Sequence, residues 1–507
     1  MRPTEAVETL LCEPSSTEEY ATLERAESVY TPLRTYHLPK GEKKHYQQQY
    51  ADMYFARLAV LKPAVERVAS EAWDGFEIAG EEVRKVDRVL DVRQGELVWV
   101  TGTVYMEMPL KPNILDDISK DHWIAAPPPR VKFISPNGED QVMLEDESGR
   151  LRLTGAYLDT TLLVTGCIIS AMGTENADGD FEVIEIKVPD LARQPQRWEV
   201  DEGTNAVKGK AVLKERKKAG KIALLSGLGV TGDEGDAMKL DLLMEYLLGE
   251  SATPSEQAEA SQISRLIIVG NSLAHASPIP SLDDIANKKG VAATSSRKYG
   301  YDAASYNPAP TDRLDLLFST LLPSIPITLI PGESDPTQTS LPQQPMHAAL
   351  FPHSRPYMAP PDRVGGEDGE PGWFDSVTNP WEGDVDGWRL LCCGGQNLDD
   401  IFKYVEGEER LEMMEAMCRW RLVAPTAPDT LWCYPFQDKD RFVMENCPHV
   451  LVIGNQPRFE TTTIEGLNGQ IVRLIAVPKF RDTGEMVLLD AETLEPEVVK
   501  FQVFDAL

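Results

Sequence analysis

The sequence predicts a mixed α+β chain: a small OB-type β-barrel followed by a larger, layered α/β domain. Residues 89–188 run as short period-two segments broken by glycines, the pattern of a small closed barrel. From Lys221 onward, short β-branched runs alternate with helical stretches, and each run stops at a glycine loop. That is the pattern of a layered sheet whose functional loops lie at the strand ends. A chain of 507 residues is also long for one core and suits two or three domains.

Residues 1–35 are acidic and polar, have no apolar core of a secretory signal, and are expected to form a disordered arm. Residues 36–195 hold a helical entry and the barrel. Tyr50, Tyr54, Leu58 and Leu61 recur at helical spacing within residues 46–72, and Pro63 is expected to split that stretch into two helices. Strands are expected at 96–104, 162–169 and 181–188, with a hairpin over 143–155 whose Asp146-Glu147-Ser148-Gly149 turn supplies the glycine of a tight reversal. A proline-bearing insertion, 111–130, interrupts them. The barrel aromatics Trp99, Tyr105, Phe133 and Tyr157 are not interleaved with lysine or arginine, so a docking module is favoured over a single-strand binder.

Residues 196–219 read as a charged linker, and 220–507 as the α/β domain. Buried strands are expected at 222–225, 265–269, 325–330, 389–392, 450–453 and 474–477, with helices over 240–248, 311–322 and 411–422. Asn397 is expected to cap a further helix, with Asp400 at its third position. Flexible inserts are expected near 283–310 and 355–387.

Composition narrows the function. The net charge of −31 opposes a role that grips phosphates, although a local basic patch remains compatible with it. No run approaches the roughly 18 apolar residues of a membrane span. The seven cysteines form no Cys-x-x-Cys and read as reduced, intracellular thiols. Cys433, Cys447 and His449 have no zinc spacing.

The glycine loops carry the chemistry. A two-metal phosphoesterase holds its ions roughly 3.5–4 Å apart with carboxylates and imidazoles. Its loops read Asp-x-His, Gly-Asp-x-x-Asp, Gly-Asn-His-Asp and Gly-His-x-His. This chain presents four loops in that order with the ligands lost. Gly227 and Gly229 stand in the first, and Asn271 replaces the bridging aspartate of the second. Glu333 and Ser334 replace Asn and His in the third, and Asn455 and Pro457 replace both histidines of the fourth. A neutral amide bridges two cations poorly. Glu333, Asp335, His275 and His449 remain as stray donors and do not rebuild a binuclear site. The reading is therefore a calcineurin-like phosphoesterase domain lacking its metal ligands, with no metal, no cofactor and no catalytic residue. No Walker, Gly-x-Ser-x-Gly or His-Glu-x-x-His motif offers another chemistry.

An OB barrel followed by such a domain resembles the B-subunit family of replicative DNA polymerases, and within it the polymerase delta branch. The likeness runs from about Tyr36 to the C-terminus. It rests on Leu224-Leu225-Ser226-Gly227-Leu228, Ile268-Val269-Gly270-Asn271-Ser272, Pro278-Ile279-Pro280 and Pro331-Gly332-Glu333-Ser334-Asp335-Pro336. It rests also on Gly395-Gln396-Asn397-Leu398-Asp399-Asp400-Ile401, Ala424-Pro425-Thr426-Ala427-Pro428-Asp429-Thr430-Leu431 and Cys447-Pro448-His449-Val450. The Pro-Thr-Ala-Pro-Asp-Thr-Leu run is the specific part.

The resemblance implies a noncatalytic nuclear scaffold. It would bridge the catalytic subunit of DNA polymerase delta, through that subunit's C-terminal cysteine-rich module, to a third accessory subunit, and would serve the polymerase zeta catalytic subunit likewise. An iron–sulfur cluster is then expected on the catalytic subunit and not on this chain. The resemblance assigns no partner-contact residues, no strong direct nucleic-acid binding and no membrane. The alternatives are an active metal-dependent phosphodiesterase or nuclease, and an OB-type single-stranded DNA binder.

Overall fold

The structure is a computed structural model, and it describes residues 23–39, 50–78, 80–112, 130–199, 220–232, 237–250, 253–274, 308–359, 371–437 and 439–503. The start of the arm, the body of the 111–130 insertion, most of the linker, Pro278-Ile279-Pro280 and His275 lie outside these residues.

The described chain opens with β1 (Tyr30–Pro32) and α1 (Ala51–Trp73). A short hairpin, β2 (Glu77–Ile78) and β3 (Glu81–Glu82), leads to β4 (Arg84–Val86) and then to the long β5 (Leu97–Glu107). The barrel continues with β6 (Gln141–Glu145), β7 (Arg150–Thr154), β8 (Ile168–Glu175) and β9 (Phe181–Lys187). Strand order is β5-β6-β7-β9-β8, and β8 returns to β5 over Leu97–Thr103, which closes five strands into the expected barrel. The hairpin turn forms as read. Asp146 Oδ1 accepts from the Ser148 and Gly149 amides at 2.7 and 3.1 Å, and Oδ2 from Val89 at 2.8 Å. The strand expected at 162–169 starts only at Ile168, because residues before it turn through Gly166 at φ 94°.

α1 is one helix, not two. Its buried face is Met53, Arg57, Leu58, Leu61, Val65, Ala69 and Trp73. Pro63 and Ala59, whose carbonyl loses its helical donor, are both exposed, so water can satisfy that carbonyl while the buried face keeps the helix continuous.

The second region alternates β10 (Lys221–Leu225), α2 (Ala237–Leu248), α3 (Pro254–Ala260), β11 (Ile263–Val269), α4 (Ala309–Leu321) and β12 (Ile327–Ile330). It continues with β13 (Phe374–Ser376), β14 (Trp381–Val385), β15 (Trp388–Cys393), α5 (Gln396–Tyr404), α6 (Arg410–Trp420), β16 (Val450–Gln456), β17 (Glu460–Glu465) and β18 (Ile471–Pro478). A short α7 (Phe480–Thr483), β19 (Glu485–Asp490) and β20 (Pro496–Lys500) complete it. The strands make two six-stranded sheets, β13-β12-β11-β10-β19-β20 and β1-β14-β15-β16-β18-β17. Ile222, Leu224, Ile267 and Val269 from one meet Leu390, Cys392, Val450, Val452, Ile475 and Val477 from the other. The intervening Ala223, Leu225, Leu266 and Ile268 face a second core with Leu243, Leu314 and Phe318 of the helices. Both faces of these central strands are covered, hence their unbroken apolar runs in the sequence.

Three further expectations are corrected. Residues 23–35 are not a loose arm. β1 pairs with β14, Tyr30 donates to Asp375 at 2.6 Å, and Arg25 donates to the Ala260 and Leu247 carbonyls at the ends of α3 and α2. The 355–387 insert is largely built in, since it contributes β13 and β14. Gly395, not Asn397, caps α5. Asn397 lies inside the helix and donates to the Val423 carbonyl at 2.7 Å, while Asp400 accepts from Thr430 at 2.5 Å. Tertiary partners claim both side chains.

Candidate functional site

The parallel strands β10, β11, β12, β15 and β16 all end at one place, and their glycine loops meet there. Gly227 donates to the Gly270 carbonyl at 2.9 Å, Gly229 to Asn271 at 3.0 Å, and Gly270 to Ile330 at 3.0 Å. The contacts are too close for side chains. A Cβ on Gly454 would sit 2.1 Å from the Val269 carbonyl oxygen, and one on Gly332 would sit 2.3 Å from the Asn271 amide nitrogen. Asn271 takes the left-handed conformation at φ 54°, and Asn455 does so at 59°.

Neutral amides fill the space between the loops. Asn271 Oδ1 accepts from the Ser334 amide at 3.2 Å. Asn455 Nδ2 donates to the Gly394 carbonyl at 2.6 Å, and its Oδ1, without a partner among the described residues, faces Gly227. Asn379 Nδ2 donates to Gln343 Oε1 at 2.8 Å and to Gln396 Oε1 at 2.9 Å. Gln343 Nε2 reaches the Gly332 carbonyl at 3.0 Å. Nothing in the sequence marked Asn379 or Gln343, because each acts across loops far apart in the chain.

Asp335 is the one buried acid at the cluster among the described residues, and both its oxygens are taken. Oδ2 accepts from Gly332 at 2.8 Å and Ser272 at 3.2 Å, and Oδ1 from Leu273 at 2.9 Å. Burial raises its pKa to about 6 against the pull of those donors. Glu333 and Pro457 are exposed. Ser334 Oγ donates to the Leu273 carbonyl at 2.6 Å. His449 is at the opposite, amino end of β16. Its Nδ1 accepts from the Arg389 amide at 3.0 Å, and burial, then Arg389, depress its pKa to about 4. Cys433 contacts Met53 and Cys447 contacts the Pro448 carbonyl, so neither joins His449. The donor set of the loop cluster does not fit a pair of divalent ions: its amides are neutral and its one buried carboxylate is saturated.

The barrel is tied to this domain by Arg57. Its Nε pairs with Asp440 at 2.7 Å, and its other nitrogens donate to the Pro425 and Ala427 carbonyls at 2.7 and 2.9 Å. Lys111 pairs with Asp429 at 2.7 Å. The Pro-Thr-Ala-Pro-Asp-Thr run is therefore where the barrel docks. Of the barrel aromatics, Trp99 is buried against Trp73 and Phe133 against Tyr404. Tyr157 packs on the main core. Tyr105, contrary to the sequence reading, does lie between cations, 4.4 Å from Lys111 and 4.8 Å from Arg150. Those cations are already paired, with Asp429 and Glu145.

Comparison with known proteins matches both regions. The family described as the DNA polymerase delta subunit OB-fold domain matches residues 49–186. The family of the DNA polymerase alpha/epsilon B subunit matches residues 222–461. The chain is 34% identical over 488 residues to the DNA polymerase delta small subunit of Saccharomyces cerevisiae, covering 91% of each chain. The chain belongs to the DNA polymerase delta small-subunit family. The small subunit of Oryza sativa subsp. japonica is 33% identical, over 96% of this chain and 100% of that one. DNA polymerase delta subunit 2 of Drosophila melanogaster is 30% identical, over 94% and 99%. This small-subunit family is an accessory-subunit family of DNA replication.

Proposed function

We propose that the chain is a noncatalytic scaffold of nuclear DNA polymerase delta. It joins the C-terminal cysteine-rich module of the catalytic subunit to a third accessory subunit, and serves the polymerase zeta catalytic subunit in the same way. Its α/β domain is a degenerate phosphoesterase kept for its shape, and any iron–sulfur cluster belongs to the catalytic subunit. The observation supporting this is the loop cluster, where Asn271, Asn379 and Asn455 close the strand ends and both Asp335 oxygens accept backbone N–H groups. Such a cluster offers no ligand set to lower the pKa of a bound water. Membership of the small-subunit family supports the assembly role.

The test is co-expression of the three subunits with and without this chain. A ternary complex that forms only in its presence is expected. A complex of the catalytic and third subunits that forms equally well without it overturns the bridging role. Two bound ions per chain, with phosphodiester turnover abolished by Asp335→Ala, overturn the noncatalytic reading.

A further inference from the structure

At the end of the sandwich opposite the loop cluster lies a cavity of about 1000 Å³. The amino ends of β15, β16 and β18 supply Trp388, His449 and Ile471 to it, α1 supplies Arg67, and the chain leaving the barrel supplies Arg193 and Arg197. Arg421 completes the wall. Four arginines and one glutamate line it, in a chain whose net charge is −31.

Two of the four arginines, Arg67 and Arg421, have no ion pair among the described residues, whereas Arg193 pairs with Glu199 and Arg197 with Glu492. Arg421 donates to the Pro189, Asp190 and Leu191 carbonyls at 2.6–3.1 Å, while the Asp190 carboxylate pairs with Arg419 at 2.6 Å. Burial, then the charge of Arg67, lowers the Arg421 pKa, so the two cations sense each other. Arg67 is exposed and has no hydrogen bond or ion pair among the described residues. The one lining acid, Glu445, pairs with Lys439 at 2.7 Å. His449 is neutral and offsets nothing.

Apolar surface lies between the cations. Arg197 stacks 4.3 Å over Trp388, and Ile471 is 54% exposed. A phosphodiester strand calls for a continuous basic track and is repelled by the chain's overall charge. A peptide alternating carboxylates with apolar side chains matches the lining: Arg67 can take a carboxylate in bidentate geometry, and Arg421, whose Nε and Nη2 are held by backbone carbonyls, offers Nη1. We propose that this cavity docks an acidic segment of a partner protein, its carboxylates seated between Arg67 and Arg421 and its apolar side chains against Trp388 and Ile471. The site is separate from the loop cluster and does not depend on which subunits the chain bridges.

The test uses the purified full chain and a fluorescein-labelled ten-residue peptide of glutamate and leucine. Saturable one-to-one binding is expected, weakened about tenfold or more by Arg67→Glu and by added salt. Arg67→Ala, which removes the charge without reversing it, is expected to weaken binding less. Both variants should melt as the parent does, because Arg67 has no hydrogen bond or ion pair among the described residues. Arg84→Glu, on β4 outside the cavity, should bind like the parent. Binding unaffected by Arg67→Glu, or lost equally with Arg84→Glu, overturns the proposal. So does a ten-nucleotide thymidine oligomer that binds as tightly as the peptide in an Arg67-dependent way.

Discussion

Asp335 shows how a buried carboxylate can serve structure through backbone hydrogen bonds. By sequence it reads as a stray donor in the third loop. In the fold it organises two loops by accepting three backbone N–H groups from Ser272, Leu273 and Gly332. Asp335→Asn keeps one acceptor oxygen and turns an NH2 toward a backbone donor, so a loss of about 1–3 kcal/mol is expected in denaturant unfolding at pH 7. The pH dependence has a definite sign. The folded pKa, about 6, lies above the ordinary 3.8, so the folded state holds this proton more tightly. The resulting stabilisation is full below about pH 4 and is lost as pH rises through 6. The parent should therefore gain stability relative to Asp335→Asn on going from pH 7 to pH 5, and a gap that shrinks would refute the assignment.

At the scale of elements, local pattern was a good guide wherever burial was periodic. The hairpin turn, the six expected α/β strands and the barrel strands other than β8 stand where their apolar spacing places them, because period-two and unbroken β-branched runs bury as the sheets require. Local signals failed where a tertiary partner claimed the residue. Pro63 is tolerated inside α1 because its lost bond faces solvent. Asn397 leaves the cap for Val423. The gap at Ala59 gives a direct test: Pro63→Ala restores the missing N–H and is expected to stabilise the chain by about 1–2 kcal/mol, after allowing for the added freedom of the unfolded chain. Equal or lower stability by thermal melting would mean that the helix is strained elsewhere.

In the whole molecule, barrel and sandwich share one hydrophobic cluster, from Val100 and Ile168 to Met417, Trp420 and Leu451. Arg57 crosses that boundary, fully buried, with Asp440 and two carbonyls of the signature run as partners. Arg57→Ala leaves Asp440 buried without its cation, a loss of about 3–5 kcal/mol. Calorimetry of the parent should give a single transition, and the variant should split into separate barrel and sandwich transitions. A single unshifted transition in the variant would show that the apolar contacts alone couple the two.

The sequence by itself determined the barrel, six of the α/β strands in chain order and the scarcity of carboxylates and imidazoles in their loops. These are properties of residue type and short-range period, so they are legible without coordinates. Only the tertiary structure decided how those loops close. The Asn379–Gln343–Gln396 network, the closure of the loops through glycine, the strap of residues 23–39 and the arginine-lined cavity all join residues tens to hundreds of positions apart. Hydrogen bonds and charge pairing depend on distance in space, and no linear pattern reports that distance.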